Sequence, residues 1–358
     1  MKKIALFLSV ALMLSLLAGC AGTPVIYYTD CTCPSGSHTQ PTTVVVEGAV
    51  KTGLYLAADI SGSKSVPGPD STTEANGEAA YDVTAVAVLV DDQGVIVDCV
   101  IDGISATVEF NGSGVIVTDV TAPVQTKNEL GENYGMKAWG NAIAEWDEQA
   151  AALANYAIGK TVEELKNGAI DETGKAPAGS DLASSATIYL GGYVAGIEAA
   201  VQNAKHLGAQ GGDELRLAMT AALGNSKSAG ADYEGAAQLD VDATALTVSG
   251  DKITSCTIDS VQAKVSFDNA GAITSDLTVP VQTKNQLGDL YGMVHYGGAI
   301  AEWNEQAAAF ARYVTGKTAA EVAGIAVTEG KPADADLASS VTIAIGGFQT
   351  LISKAMQG

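Results

Sequence analysis

Alternation of apolar and polar residues marks two stretches of the chain as sheet-forming. The first stretch predicts strands over residues 83–90, 95–101, 106–110 and 115–120. The second predicts strands over residues 243–248, 252–258, 263–267 and 272–277. Short turns rich in Gly, Asn and Asp separate these runs, as expected for antiparallel strands joined by tight connections.

Apolar residues at helical spacing follow each set of strands. Residues 136–158 and 293–314 are each predicted as one continuous helix. A shorter helix is predicted to begin at Thr161 and at Thr318, with Glu residues in its first turn. Final helices are predicted over residues 188–204 and 343–356. Strands followed by helices predict the α+β class, with a small twisted antiparallel sheet and packed helices in each stretch.

The two stretches are copies of one another. Val-Gln-Thr-Lys-Asn at residues 124–128 recurs at residues 281–285, an offset of 157 residues (281 − 124) that also relates several flanking motifs. We therefore predict two tandem repeats of one fold. Repeat 1 covers residues 49–206 and repeat 2 covers residues 207–358.

The N-terminus has the pattern of an export signal. Two lysines and an apolar run precede Leu-Ala-Gly-Cys at residues 17–20, as in a lipoprotein processing site. We predict a signal peptide over residues 1–20, lipidation of Cys20, and a flexible Thr-, Pro- and Ser-rich tether over residues 21–48. An ordinary signal peptide cut near Ala18 is the alternative. The expected location is the extracellular face of the cell membrane, held by lipid.

Composition narrows the classes of partner. The formal net charge of −22 argues against nucleic acid, because phosphate backbones need clustered Lys and Arg. No CxxC or CxxCH pattern occurs, and three histidines offer few ligands to a transition metal. Cys31 and Cys33 are expected to be surface thiols or a local disulfide. Cys99 and Cys256 are expected to be buried in strands.

Each repeat carries a distinctive polar segment before its final helix. Residues 181–187 read Asp-Leu-Ala-Ser-Ser-Ala-Thr, and residues 336–342 read Asp-Leu-Ala-Ser-Ser-Val-Thr. The segment is predicted to open the last helix, where free N–H groups and the helix dipole favour an anion. A purely structural interpretation stays open, because Asp and Ser are common helix caps.

The segment resembles the flavinylation motif of FMN-binding domains, Asp-x-x-Ser/Thr-small-small-Thr. In that family a flavin transferase attaches FMN to the last threonine through a phosphoester. The order of strands, helices and motif is also similar to that family. The resemblance extends over both repeats and is closest to doubly flavinylated lipoproteins of Gram-positive extracellular electron transfer. Ser185 and Ser340 stand where the family more often has glycine, and Val341 where Ala is usual.

The resemblance implies a cofactor site in each repeat. Two FMN groups would be linked to Thr187 and Thr342. The other residues of the implied site are Asp181, Ser184, Ser185, Asp336, Ser339, Ser340, Lys127, Lys284, Tyr134 and Tyr291. The implied function is a cell-surface electron carrier. It would relay electrons from a membrane quinol-linked donor to extracellular acceptors.

Several of these residues have structural alternatives. The two lysines could meet the flavin or face solvent from a helix start, and the two tyrosines could stack on the flavin or serve plain packing. Asp181 and Asp336 could assist a metal-dependent flavin transfer or cap a helix. Trp146 and Trp303, at helical spacing among alanines, are predicted core residues.

Two other functions stay open. One is a flavin-dependent surface reductase with a defined substrate. The other is a non-redox binding or adhesion lipoprotein built from a duplicated α+β module, in which the Ser/Thr segments are only caps. The sequence contains no recognisable Ser/His/Asp or Cys/His triad, phosphate-binding loop or dinucleotide fingerprint. An electron-transfer flavoprotein is therefore favoured over an enzyme with a dedicated substrate.

Overall fold

The structure, a computed structural model, describes residues 46–68 and 75–357. The predicted signal peptide, the lipidation site Cys20, the pair Cys31 and Cys33, and residues 21–45 of the predicted tether lie outside these residues. Within the described part, no helix combines the length and the apolar character needed to cross a bilayer.

The described residues contain two three-stranded antiparallel sheets, ordered β1-β2-β3 and β4-β5-β6. Their strands are Lys51–Asp59 (β1), Gly77–Val90 (β2), Ile96–Phe110 (β3), Glu214–Ala222 (β4), Gly235–Ser249 (β5) and Lys252–Phe267 (β6). A two-residue hairpin, Val327–Thr328 (β7) and Lys331–Pro332 (β8), lies late in repeat 2. The α+β prediction is confirmed.

The strand predictions were wrong in three respects. Neither β1 nor β4 was predicted. The runs 95–101 and 106–110 belong to one strand, since β2 pairs with β3 without interruption across Gly103. Residues 115–120 make only an isolated bridge to β3, because the backbone N–H of Glu109 donates to the side chain of Thr118 instead of continuing a ladder.

Repeat 1 and repeat 2 share one hydrophobic core between their sheets. Along β2, odd-numbered residues from Ala79 to Leu89 face this common core, whereas Val86, Val88 and Val90 face the helices. The rings of Phe110 and Phe267, both fully buried, stack with centroids 4.0 Å apart across the two sheets. The repeats are therefore joined by packed sheets and carry their helices on the outer faces.

The edges of the two sheets also meet. β1 lies beside β6, where the hydroxyls of Thr52 and Ser255 are 2.7 Å apart, and β3 lies beside β4. Residues 46–48, predicted as the end of the tether, belong to this packed structure. Val46 is buried in the common core, and the carbonyl of Gly48 accepts a hydrogen bond from Gly211.

The helices follow the sheets in the same order in each repeat. In repeat 1 they are Lys127–Leu130 (α1), Met136–Gly140 (α2), Trp146–Ala157 (α3), Val162–Ala169 (α4) and Gly191–Asn203 (α5). In repeat 2 they are Lys284–Leu287 (α6), Met293–Gly297 (α7), Trp303–Val314 (α8), Ala319–Ala323 (α9), Ala335–Ala338 (α10) and Gly346–Gln357 (α11). Thr161 and Thr318 cap α4 and α9 with reciprocal Glu contacts, which confirms the predicted helix starts.

The prediction of one continuous helix over residues 136–158 was wrong, as was its counterpart in repeat 2. The chain breaks at Asn141, whose φ is 49°, and becomes helical again at Trp146. The buried Glu145 explains the break. Its carboxylate accepts hydrogen bonds from the backbone N–H groups of Met136 and Lys137, at 2.7 and 3.0 Å, and so ties the start of α2 to the start of α3.

Candidate functional site

The segment that contains Thr187 is a surface turn, not the start of a helix. Residues 182–184 form one 3-10 turn, and α5 begins only at Gly191. Leu182 and Ala186 are buried and anchor the turn, while Thr187 is exposed. The prediction that the segment opens the last helix was wrong. The helix dipole therefore does not act at the Thr187 hydroxyl.

A fully buried glutamine holds Thr187 instead. The amide oxygen of Gln149 accepts hydrogen bonds from the backbone N–H groups of Thr187 and Ile188, at 2.7 and 3.1 Å. It also accepts from the Thr187 hydroxyl at 3.3 Å. The other end of the same amide donates to the carbonyl of Ala144 at 2.8 Å. One side chain of α3 therefore fixes both the threonine and the loop before α3.

Repeat 2 reproduces this arrangement. The buried Gln306 accepts from the backbone N–H of Thr342 at 2.8 Å and from its hydroxyl at 3.2 Å, and donates to the carbonyl of Ala301 at 2.8 Å. Thr342 is half-buried and follows the four-residue helix α10, before α11 begins at Gly346. Both predicted attachment residues therefore occupy equivalent, rigidly held positions.

Sequence reasoning missed both glutamines as site residues. Each lies three residues after a predicted core tryptophan, in the Glu-Gln-Ala step that recurs in both copies. The tryptophan prediction is confirmed, since Trp146 is 3% exposed and Trp303 is 6% exposed. Residues three apart share one helix face, so an inward tryptophan places the glutamine inward too. An uncharged polar residue on a buried helix face needs hydrogen-bond partners, so this pattern could have marked both glutamines as site residues.

Large apolar side chains are exposed on or next to the segments that Gln149 and Gln306 bind. Tyr189, two residues beyond Thr187, is 60% exposed. Ile143, next to the Ala144 carbonyl that Gln149 binds, is 55% exposed, and Trp139 is 89% exposed. In repeat 2 the equivalent loop presents Tyr296, which is 85% exposed, and Ile300, which is 58% exposed. Large exposed apolar groups near one polar anchor are typical of a ligand surface.

The predicted cofactor residue Lys127 is buried, contrary to the solvent-facing alternative. Its ammonium lies 2.9 Å from the carboxylate of Asp82, 4.9 Å from the centre of the Trp146 ring and 5.6 Å from that of Tyr134. Burial lowers the pKa of Lys127, but the charge and hydrogen bond of Asp82, together with smaller contributions from Tyr193 and Tyr134, outweigh it, so the pKa lies above the ordinary lysine value. The lysine and tyrosine predicted for the site thus meet around the tryptophan that begins α3.

The equivalent residues of repeat 2 meet in the same way but with a different charge balance. The ammonium of Lys284 lies 4.7 Å from the centre of the Trp303 ring and 5.3 Å from that of Tyr291. In the described part of the chain, no carboxylate comes within 4 Å of it. Burial raises the pKa of the nearby Asp242 carboxyl, and the charge of Lys284 partly offsets this.

The polar residues of the two motif segments face solvent. These exposed residues are Asp181, Ser184, Ser185, Asp336, Ser339 and Ser340. Ser184 and Ser339 donate to the carbonyls of Asp181 and Asp336, which closes each turn. Neither aspartate side chain caps a helix; the cap of α10 is Asp334. A role as plain helix caps is therefore wrong for the two motif aspartates.

A buried aspartate in each repeat positions the lysine. Asp102 accepts from the backbone N–H of Asn128, and Asp259 accepts from that of Asn285, both at 3.1 Å. These contacts fasten the first turns of α1 and α6 to the neighbouring strands. Burial raises the pKa of Asp259 to about 6. The predicted strand cysteines, Cys99 and Cys256, are confirmed as buried free thiols on the same strands.

In each site the threonine hydroxyl is therefore accessible, but it is not hydrogen-bonded to a side chain that could act as a general base. Within the described residues, the side chain bonded to the Thr187 hydroxyl is the Gln149 amide, whose oxygen does not take up a proton at neutral pH. Those residues also contain no group of His, Cys, Asp and Glu suited to a metal ion. No family model, curated protein or solved structure matches the chain.

Proposed function

We propose that the protein is a cell-surface electron carrier with two FMN groups, phosphoester-linked to Thr187 and Thr342. The observation that supports this most strongly is the pair of surface hydroxyls, each held in the same way by a buried glutamine. A threonine that only caps a helix would have its side chain on its own helix. These two are instead fixed by a residue 38 or 36 positions away in the sequence.

The attachment step requires a second protein. A flavin transferase would supply FAD, and the threonine oxygen would attack the FMN phosphorus of its phosphoanhydride. The new bond joins that oxygen to phosphorus, AMP leaves, and the hydroxyl proton passes to a base of the transferase. Because the Gln149 amide is not a base, that external base is a necessary part of the proposal. The exposed motif residues, among them Asp181 and Ser185, form the surface that the transferase would contact.

Covalent attachment suits the electrostatics of this chain. The net charge of −22 repels a phosphate, and Lys127 is already paired with Asp82. Thr187 also lies outside a helix N-terminus, where a phosphate would find free N–H groups. Reversible retention of FMN would therefore be weak, and loss from an exported protein would be difficult to reverse. A phosphoester removes this difficulty, because release then requires cleavage of a bond.

The surroundings of each threonine fit a flavin. Tyr189, Ile143 and Trp139 give repeat 1 exposed apolar surface for a flat aromatic ring, and Tyr296 and Ile300 do so in repeat 2. When bound, FMN would supply the one- and two-electron chemistry, while the protein supplies position and electrostatics. A lipid on Cys20 would hold the carrier near a membrane quinol-linked donor, and exposure of the sites would allow transfer to extracellular acceptors.

The test is peptide mass spectrometry on protein co-expressed with a flavin transferase. We expect the mass of FMN less water on the peptides that contain Thr187 and Thr342. Thr187→Ala and Thr342→Ala should each remove one adduct, and the double variant should remove both. Thr121→Ala and Thr278→Ala, at equivalent exposed threonines outside the two motifs, are the matched controls and should keep both adducts. A wild-type protein without adducts under these conditions would reject the proposal and favour the non-redox binding module.

A further inference from the structure

The two repeats differ most in a groove between the third strand of the sheet and the long helix. In repeat 1 this groove is lined by Cys99, Ile101 and Ala154, and holds about 320 Å³. In repeat 2 the equivalent positions, Cys256, Ile258 and Ala311, belong to a cleft of about 820 Å³. The larger volume lies within the range of small-molecule sites.

A salt bridge made by a single lysine distinguishes the surroundings of the two grooves; we call the smaller groove of repeat 1 the closed groove and the larger cleft of repeat 2 the open cleft. Lys354 in α11 reaches from repeat 2 to repeat 1, where its ammonium lies 2.8 Å from the Glu129 carboxylate; it also donates to the carbonyl of Met219 at 2.6 Å. The positions equivalent to Lys354 and Glu129 are Ala199 and Gln286. Neither can form that bridge, so repeat 2 lacks this contact.

The open cleft has one apolar wall. Leu54, Tyr55 and Leu56 of β1 line it from the side of repeat 1, and Leu207 lines it where the repeats join. Leu54 and Leu56 are buried in the common core, so the half-buried Tyr55 and Leu207 provide the apolar surface. The opposite wall comes from repeat 2 and carries Asn285, Gln286 and Asn304 among other polar groups. The cleft therefore presents apolar surface on one side and hydrogen-bonding groups on the other, as an amphipathic ligand requires.

Two carboxylates and two cations line the cleft, so its formal charges balance, but the two pairs of groups differ in their contacts. Its two carboxylates already accept local hydrogen bonds: Asp259 from Ser260 and Asn285, and Glu305 from the backbone of Glu302. Arg312 and Lys205 also line the cleft, and neither has an ion-pair partner among residues 46–68 and 75–357.

Arg312 is a feature of the open cleft alone. It is one of two arginines in the whole chain, and the other, Arg216, is paired with Glu214. The position equivalent to Arg312 in repeat 1 is Asn155, which lines the closed groove. The two cations without an ion-pair partner and the larger cleft thus occur together in repeat 2, where both carboxylates of the cleft already accept hydrogen bonds.

We propose that this cleft binds an amphipathic organic anion. Its carboxylate, sulfonate or phosphate would meet Arg312 and Lys205, and its apolar body would lie on Tyr55 and Leu207. The guanidinium offers paired N–H donors that match such a head group. The site is separate from Thr187 and Thr342 and needs no flavin.

Isothermal titration calorimetry with naphthalene-2-sulfonate tests the proposal, since its heat signal does not depend on a flavin. We expect one site per chain, and Arg312→Asn should weaken binding by about tenfold or more through loss of a charged hydrogen-bond donor. Asn155→Arg, in the closed groove, is the matched control and should leave the affinity unchanged. The Ala199→Lys, Gln286→Glu double variant should close the cleft and abolish binding.

Two outcomes would overturn the proposal: equal affinity of wild type and Arg312→Asn, or equal affinity for neutral naphthalene-2-methanol. Circular dichroism confirms that each variant is folded, and Arg312 is exposed, so its replacement should leave the fold intact. Competition by dodecanoate distinguishes two sources of the anion. If dodecanoate displaces naphthalene-2-sulfonate, the anion is assigned as a lipid-derived acid. If naphthalene-2-sulfonate stays bound, the anion is assigned as a soluble aromatic acid. Both results support the site.

Discussion

The two repeats hold their threonines almost identically but surround them differently. The three hydrogen bonds from the threonine segment to the buried glutamine agree within 0.1 Å between repeats: 2.7, 3.3 and 3.1 Å at Gln149, and 2.8, 3.2 and 3.2 Å at Gln306. The groove between the third strand and the long helix, by contrast, has a volume of about 320 Å³ in repeat 1 and about 820 Å³ in repeat 2. The support of the threonine is therefore alike in the two repeats, whereas the groove differs.

The aromatic cluster shows a second divergence. In repeat 1 the indole N–H of Trp146 donates to the hydroxyl of Tyr193 at 3.0 Å. In repeat 2 the equivalent of Tyr193 is Phe348, which packs edge-on against Trp303 without a hydroxyl. Lys127 has an ionic partner, whereas Lys284 has none within 4 Å in the described part. The same scaffold thus carries two different electrostatic environments near the two predicted flavins.

The largest expected effect tests whether the repeats are one folding unit. Phe110→Ala and Phe267→Ala should each lower the free energy of unfolding by about 3–5 kcal/mol, because each removes a fully buried ring from the common core. Both should act on one cooperative transition in urea, followed by tryptophan fluorescence. Separate transitions for the two repeats would contradict the shared core.

Removal of a supporting glutamine should have the next largest effect. Gln149→Leu and Gln306→Leu leave two backbone N–H groups and one carbonyl without their partner, at a cost of about 2–4 kcal/mol. Each should also reduce flavinylation of its own repeat only, measured by peptide mass spectrometry. The exposed Gln125→Leu is the control and should change stability by less than about 0.5 kcal/mol. Loss of both adducts in one single variant would contradict independent sites.

The pH dependence of stability should differ between the two positioning aspartates. Burial raises the folded-state pKa of Asp259 to about 6, above its unfolded value, so the folded protein binds the extra proton. That contribution to stability is present at low pH and is lost as the pH rises from about 4 through about 6. Relative to wild type, Asp259→Asn should therefore gain up to about 2–3 kcal/mol between pH 4 and pH 7.

Asp102→Asn is the matched variant in repeat 1. Burial raises the pKa of Asp102 too, and hydrogen bonds and the charge of a lysine oppose the rise as they do at Asp259, but the rise is smaller at Asp102. Its stability difference from wild type should therefore change less with pH, as measured by urea unfolding at each pH. If the stability difference from wild type stays constant with pH for both variants, neither carboxyl has a shifted pKa in the folded protein.

The smallest effect is a reciprocal exchange in the aromatic clusters. Tyr193→Phe leaves the Trp146 indole N–H without its partner and should cost about 1 kcal/mol. Phe348→Tyr offers Trp303 the same partner and should be neutral or slightly stabilising. Thermal unfolding of both variants measures the difference. An equal loss in both variants would mean that packing, not the hydrogen bond, distinguishes the clusters.

Local features of the sequence determined a good part of this structure. The α+β class, the burial of Trp146 and Trp303, and the helix starts at Thr161 and Thr318 all follow from periodicity or from contacts within one turn. The internal offset of 157 residues also identified the recurring segments without structural information. Such features depend only on residues that are close to one another in the chain, so they can be predicted directly from the sequence.

Contacts between distant residues decided the rest. The break before α3 depends on a buried Glu145 that caps α2, and the position of Thr187 depends on a glutamine 38 residues earlier. The common core depends on Phe110 and Phe267 meeting across two sheets, and a salt bridge between the repeats depends on Lys354 reaching Glu129. No local pattern encodes these pairings, because their free energy arises only when the folded chain removes both partners from water.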